Sequence, residues 1–396
     1  MLPYLFYKNC ADMLYAYDGS VPFHLYLKEQ FKEHKNWGSK DRKRYRACCY
    51  FFWRNAVGVS RNNANDILEW LQSHYTTDAL ISETLPIAGN DKNDDGISVD
   101  GQISGDELIS NDKPSEPTIH PYHAVLNEIS VSIDHQTLQE WFREEPPVWL
   151  RATNGKTKAV LQQLQKLNIT VLQQSNDVIA VTAQANLNPI TDFGYAYIQD
   201  IGSQMAMDWR DLPLQHMCNP NHSIWDCCCG AGGKAITLLQ NYPKANVTCS
   251  DVRANILENL QKRFQSLQLS KPKTQVIDLQ NNVGPINQYD VVMADVPCSG
   301  SGTWRRNPEN IHFFSPLEIN MYSNKQLSII NNAQQSVKLG GYLVYMTCSV
   351  FRNENEMVIE QFIEKHEGFE KVDEKYCGGH QNHGDYIYRA ILQRVR

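Results

Sequence analysis

The sequence predicts an α/β protein built on a mainly parallel β-sheet, preceded by a small α+β domain and an N-terminal helical bundle. Three observations carry this. From about Asp208 onward, short apolar runs of strand character alternate with amphipathic helical runs, as βα units covered on both faces require. Between Tyr122 and Asp200, two alternating strand-like runs flank one helical run. Before residue 77 the apolar residues recur at helical spacing. A chain of 396 residues has room for two or three such domains.

Residues 1–76 supply the helical domain. "ADMLYAYDGSVPFHLYLKEQF" repeats apolar residues at helical spacing, and "NANDILEWLQSHY" begins with Asn and Asp, which cap a helix start. The stretch from Lys28 to Arg61 is strongly basic. It reads first as a solvated helix face and second as an RNA-binding surface. The net charge of −7 argues against gross attraction to nucleic acid. A local basic face still binds phosphate, because screening confines the attraction to about 10 Å.

Residues 77–119 are acidic and rich in Gly, Ser and Asn, as a linker or surface insertion is. Asp91, Asn93, Asp95 and Gly96 match half of a calcium loop, but Gln102 stands where the bidentate carboxylate belongs. A second register places Glu107 correctly after Gly101, yet puts Gly96 at the first ligand position. A mobile acidic loop is the expectation. Residues 120–205 form the α+β domain, with "VWLRAT" and "VIAVTA" as strands around the helix "KTKAVLQQLQKL". In residues 206–396 the strands "SIWDCCCG", "NVTCSDV", "TQVIDL", "YDVVMADVP" and "GYLVYMTCS" alternate with helices, and "YIYRAILQR" closes the sheet.

No apolar run approaches the roughly 18 residues that span a bilayer, so no membrane partner is expected. The N-terminus lacks a basic region and a cleavage pattern, so a cytoplasmic location follows as an expectation. The 11 cysteines are then free thiols in a reducing compartment. Cys227, Cys228 and Cys229 are consecutive on a strand and point to alternate faces, so they do not close a tetrahedral metal site together. No metal is expected, and a monomer is.

Ligands of such sheets sit at the carboxyl ends of the strands. There "DCCCGAGGKA" forms a glycine turn between the first strand and the first helix, with Gly230, Gly232 and Gly233 permitting close backbone approach. Asp251 ends the second strand and is placed to accept ribose hydroxyls. Nicotinamide and S-adenosylmethionine sites share this pattern, though the spacing G-x-G-G departs from the dinucleotide fingerprint. Asp226, Asp251, Asp278 and Asp295 end four successive strands and converge on one crevice if the sheet is parallel.

The segments "DCCCGAGGK", "SDV", "VIDL", "ADVPCSGSGTWRRNPE" and "YMTCSVFRNENE", in that order, resemble the Sun/Fmu family of RNA cytosine-5 methyltransferases. The resemblance covers about residues 145–396, including "PPVWLRATN" and "IQDIGSQ". It implies a class I methyltransferase, Rossmann-like catalytic domain after an RNA-recognition-like one, and a helical N-terminus like a reduced NusB-like domain. It also implies S-adenosylmethionine as cofactor, held by Cys228, Cys229, Gly230, Ala231, Gly232, Gly233, Lys234, Asp251, Asp278 and Asp295. In the family the T-C-S thiol, here Cys348, adds to carbon-6 of cytosine. The P-C-S thiol, here Cys298, serves proton removal or release, and Asp295 would hold ring nitrogen 3. Arg305 and Arg306 would contact the RNA backbone. The implied substrate is RNA, with small-subunit ribosomal RNA preferred and transfer RNA possible; DNA is not expected.

A thiolate suits this chemistry, because cytosine carbon-5 becomes nucleophilic only after something adds to carbon-6. A lone strand-end cysteine would otherwise be read as packing. Three rivals remain. A DNA cytosine-5 methyltransferase would attack with Cys298, a nicotinamide-dependent dehydrogenase would bind NAD, and an idle RNA-binding factor would transfer nothing. The departures are Ala231, where proline is usual, Cys229-Gly230 in place of two small residues, and "GDYIYRA", which leaves Asp385 without an assigned role.

Overall fold

The computed structural model describes residues 3–56, 59, 61–75, 121–183 and 185–396. The acidic segment 77–119, with its calcium-loop expectation, lies outside the described residues. The N-terminal unit holds helices α1 (Tyr4–Ala16), α2 (Phe23–Glu33), α3 (Ser39–Asn55) and α4 (Ala64–His74). Each buries a stripe at helical spacing, such as Phe23, Leu27 and Phe31 on α2. Asn63 caps α4 by accepting from the Asp66 N–H at 3.0 Å. Phe6, Phe23, Phe52 and Trp53 fill a core rich in aromatic rings.

Helix α5 (His135–Arg143) starts at Asp134, whose carboxylate accepts from the Thr137 N–H at 2.8 Å. The sequence boundary placed this stretch inside the α+β domain, and that needs correction. Leu138, Trp141 and Phe142 pack with Trp304, Val350, Phe351 and Tyr386, from the C-terminal half of the chain. The apolar stripe was legible in the sequence; the surface it would cover was not.

The small domain follows the order β1 (Val148–Ala152), α6 (Thr157–Lys166), β2 (Val171–Ser175), β3 (Val178–Val181), α7 (Asn188–Thr191) and β4 (Ala196–Ile198). Its antiparallel sheet runs β2-β3-β1-β4, the split βαβ arrangement. Leu150, Val160, Leu164, Ile179 and Ile190 make its core.

Helix α8 (Ile201–Ala206) then leads into the large sheet. Its strands are β5 (Ser223–Asp226), β6 (Asn246–Asp251), β7 (Lys273–Val276), β8 (Tyr289–Asp295), β9 (Val337–Thr347), β10 (Phe369–Gly378) and β11 (Tyr386–Arg394). The order is β10-β11-β9-β8-β5-β6-β7. Strands β5 to β9 are parallel, while β11 runs antiparallel between β9 and β10. Helices α9 (Gly233–Asn241), α10 (Ala254–Ser266), α11 (Asn310–Phe313), α12 (Leu317–Ala333) and α13 (Glu356–Lys365) complete the chain. Two apolar layers, one containing Ile224 and Met293 and the other Trp225 and Val292, sandwich the sheet, because adjacent strand residues face opposite sides. The chain leaves β5 for β6 and β7 on one side and returns to β8 on the other. The strand order therefore switches at β5 and β8, which opens a crevice at their carboxyl ends. No described helix is long and apolar enough to cross a membrane.

Candidate active site

The loop after β5 is shaped by backbone that only glycine adopts easily. Gly230 and Gly232 have φ of 52° and 78°. At Gly232 a Cβ would also lie 2.9 Å from the Leu260 side chain. The Cys229 N–H donates to the Ser250 carbonyl at 2.9 Å, and the Cys229 thiol is held protonated by its contact with Cys249 and by burial. The Ala231 carbonyl accepts from Arg263 at 3.5 Å. Cys228 is half-buried beside them.

The acids at the strand ends differ in state. Asp226 is wholly buried, and neither carboxylate oxygen has a hydrogen-bond partner among the described residues. Burial, helped by Asp295 and Asp251 and opposed by Lys234, pushes its carboxyl up to about 8. Asp251 is also buried, but Arg253 at 3.0 Å and the Gly230 N–H at 3.0 Å outweigh that burial, and its carboxyl lies below the usual range. Asp278 follows β7 and turns on itself, accepting from Asn281 at 2.8 Å and from the Gln280 N–H at 3.0 Å. Asp295 binds the Lys234 ammonium at 2.6 Å. Burial opposes the charge on Lys234, yet Asp295 more than restores it, so the lysine stays cationic.

At the next two strand ends the thiols meet. Cys298 Sγ and Cys348 Sγ are 3.3 Å apart, and the Cys348 N–H points at Cys298 Sγ, also at 3.3 Å. Both are free cysteines. Contact with Cys348 and then burial push the Cys298 thiol well above its ordinary value, so it keeps its proton. The "PCSGSGT" loop is bound onto the "TCS" strand end. The Gly302 N–H donates to the Cys348 carbonyl at 2.9 Å, and the Val350 N–H donates to Ser301 Oγ at 2.9 Å. A Cβ on Gly302 would fall 2.2 Å from the Tyr386 carbonyl oxygen, so only glycine fits this approach.

Beneath both loops lies a residue that motif reading did not assign. Glu354 is fully buried and accepts from the Ser299 N–H at 2.8 Å, Gln326 Nε2 at 3.0 Å and Ser349 Oγ at 2.8 Å. One carboxylate therefore bridges the two cysteine loops. Asn355 adds a second brace, donating to the Ser349 carbonyl at 2.8 Å and to the Tyr376 hydroxyl at 2.7 Å. Glu354 and Asn355 sit in the quoted "ENE" triplet; Gln326, on α12, carried no sequence signal.

The expectation for Arg305 is corrected. Its side chain is fully buried, and its guanidinium lies over the Trp141 ring, donates to the His383 carbonyl at 2.6 Å and approaches Glu144 at 3.4 Å. It braces α5 and the β10–β11 turn and offers nothing to a phosphate. Arg306 is different, with 45% of its side chain exposed and a two-pronged grip on Asp385 at 2.5 to 3.0 Å. Asp385 thereby gains a role. Its N–H donates to Asp200 Oδ1 at 2.8 Å, which ties the α8 start to the arginine behind the thiol loop.

The geometry suits a ligand that brings positive charge and backbone-facing groups to the crevice. Asp295 pairs with Lys234 and Asp251 with Arg253, while the Asp226 carboxyl beside them has no hydrogen-bond partner among the described residues. Comparison with known proteins follows the same line. Residues 215–391 match the family model described as 16S rRNA methyltransferase RsmB/F. A Coxiella burnetii protein named "Probable ribosomal RNA small subunit methyltransferase B" is 30% identical over 249 residues, 60% of this chain and 56% of that one. The ribosomal RNA small subunit methyltransferase B of Yersinia pseudotuberculosis is 27% identical over 56% of this chain and 52% of its own. The chain thus spans about half the length of the curated relatives it matches. The crystal structure of PH0851 superimposes with a TM-score of 0.73 at 18% identity, over 99% of both chains. NSun6 from Pyrococcus horikoshii with SFG gives 0.56 at 14% identity, over 66% of this chain and 94% of its own. These likenesses speak for the fold.

Proposed function

We propose that this chain, whose residues 215–391 match the RsmB/F family model, methylates carbon-5 of a cytosine in RNA, with small-subunit ribosomal RNA as the preferred substrate. The observation that carries the reading is the 3.3 Å pairing of Cys298 and Cys348 at adjoining strand ends. S-adenosylmethionine, the cofactor of this family, supplies an electrophilic methyl on a sulfonium. The residues present fit it. The Gly230–Lys234 turn would give backbone approach, Asp251 at the end of β6 would accept ribose hydroxyls, and Asp226, without a hydrogen-bond partner among the described residues, would serve a cationic ligand.

Cys348 adds as thiolate to carbon-6, forming a C–S bond and moving electron density to carbon-5 and ring nitrogen 3. Asp295, held by Lys234, accepts a hydrogen bond from a proton carried on nitrogen 3, so that addition of the thiolate leaves the ring neutral rather than anionic beside a carboxylate. Carbon-5 takes the methyl, the carbon-5 proton leaves to a base, and the C–S bond breaks to release Cys348. The attack is assigned to Cys348 by its place in the T-C-S motif, and a part in release to Cys298 by its place in the P-C-S motif. A DNA-type mechanism would reverse the two roles. Glu354 positions both thiols and does not touch the base.

The test is trapping with RNA carrying 5-fluorocytidine, in which fluorine replaces the carbon-5 proton and cannot leave as a cation, so the methylated adduct persists. Wild type and Cys298→Ala give a covalent adduct in denaturing gels, and Cys348→Ala gives none. The assignment fails if the adduct survives Cys348→Ala and is lost with Cys298→Ala. Loss of no 5-methylcytosine from ribosomal RNA on deleting the gene overturns the choice of substrate.

A further inference from the structure

A cleft of about 1130 Å³ opens between α2, α3 and the start of β1 in the small domain. It exceeds the roughly 300 to 1,000 Å³ of small-molecule pockets. Helical spacing places its cations on single faces, with Lys28 and Lys32 one turn apart on α2 and Arg42, Lys43, Arg46 and Arg54 along α3. With Arg306 there are seven lysines and arginines on the lining against two carboxylates, Glu145 and Asp200. Burial raises the carboxyls of both. Lys28, Lys43 and Arg46 are exposed and have no ion-pair partner among the described residues. Lys32 pairs with Glu29 and Arg306 with Asp385, but Lys28, Lys43 and Arg46 on one concave wall cost repulsion unless an anion neutralises them.

The cleft also borders the thiol loop. Arg306 belongs to its lining and follows the Cys298 loop in the chain. Of the aromatic rings on the lining, Phe31, Trp37 and Trp149 are more than nine-tenths buried and Tyr50 is half-buried. Such a wall grips a backbone and reads few bases.

We propose that this cleft is a track for the phosphate backbone of single-stranded RNA, leading the strand from the N-terminal helices to the thiols. This rests on RNA being the substrate. It assigns a role to the basic stretch that, from the sequence, read first as a solvated face, and it places that role outside the matched family domain.

The experiment uses the full chain, without cofactor, and a fluorescein-labelled single-stranded RNA dodecamer read by anisotropy between about 50 and about 200 mM salt. Three single-strand phosphate contacts at about 0.7 each make the slope of log K against log salt shallower by about 2 in Lys28→Gln/Lys43→Gln/Arg46→Gln. At about 0.1 M salt, affinity falls roughly a hundredfold. Lys28→Arg/Lys43→Arg/Arg46→Lys restores the slope. Lys40→Gln/Arg44→Gln, on the same helix but outside the lining, leaves it unchanged. An unchanged slope in the triple variant, failure of the charge-preserving variant, or an equal loss from the Lys40/Arg44 control overturns the track. Tighter binding of a polyglutamate peptide with the same residue dependence assigns the cleft to an acidic protein instead. Methyl transfer undiminished in the triple variant removes this inference and leaves the catalytic one; loss of slope in a chain that methylates no RNA does the reverse.

Discussion

Asp200→Asn should stabilise the protein at alkaline pH and leave it almost unchanged in acid. Asp200 begins α8, and its Oδ1 accepts both the Gly202 N–H at 2.7 Å and the Asp385 N–H at 2.8 Å. An asparagine Oδ1 keeps both bonds. What it removes is charge: burial and then Asp385 raise the Asp200 carboxyl from 3.8 to about 7, with Arg306 opposing them. A carboxyl held more tightly protonated in the folded state contributes stability that is full below about 4 and lost as pH rises through about 7. Three units at about 1.4 kcal/mol each set an upper bound of about 4 kcal/mol. Water on the cleft side screens this, and about 2 kcal/mol is expected. Urea unfolding followed by tryptophan fluorescence should show the variant less than ~1 kcal/mol above wild type at about pH 5 and about 2 kcal/mol above it at about pH 8. A variant less stable than wild type at both pH values would refute the reasoning. It would mean that an ionised Asp200 is paired through Arg306 strongly enough to stabilise the fold.

Glu354→Ala strips acceptors from three donors, two of them buried, and should cost about 3 to about 5 kcal/mol with loss of adduct formation. Glu354→Gln can still accept both N–H donors through its oxygen and turn the Ser349 hydroxyl around, so about 1 kcal/mol and a partial rate are expected in melting and trapping assays. Gly302→Ala forces the Cys298 loop off the Tyr386 carbonyl and should reduce trapping well beyond its stability cost of about 1 to about 3 kcal/mol. Asp226, protonated below about 8, must ionise to serve a cationic ligand. Titration calorimetry with S-adenosylmethionine in two buffers of different ionisation enthalpy should report proton release near pH 7, and Asp226→Asn should abolish it.

The parts that could be read from the sequence are those whose information is local. The alternation of β5 to β9 with their helices, the glycine turn and the two cysteine motifs are each contained within a dozen residues. Strand β10 went unread because it lies at the sheet edge, where most of its side chains meet water and its charges break the apolar alternation. The braces were hidden for a different reason. Arg306 meets Asp385 across 79 residues, and Asp385 meets Asp200 across 185. Arg305 shows how adjacency misleads, since two neighbouring arginines in one motif have opposite fates. One is sealed under Trp141 and the His383 carbonyl, and the other opens on the cleft. A motif names the residue types that chemistry requires at a strand end, but which neighbour faces substrate depends on what the rest of the chain packs over it. Here that cover is α5, Glu144 and the β10–β11 turn. The catalytic assignment therefore stands on contacts inside the motifs, whereas the RNA path stands on elements as far apart as α2 and Arg306.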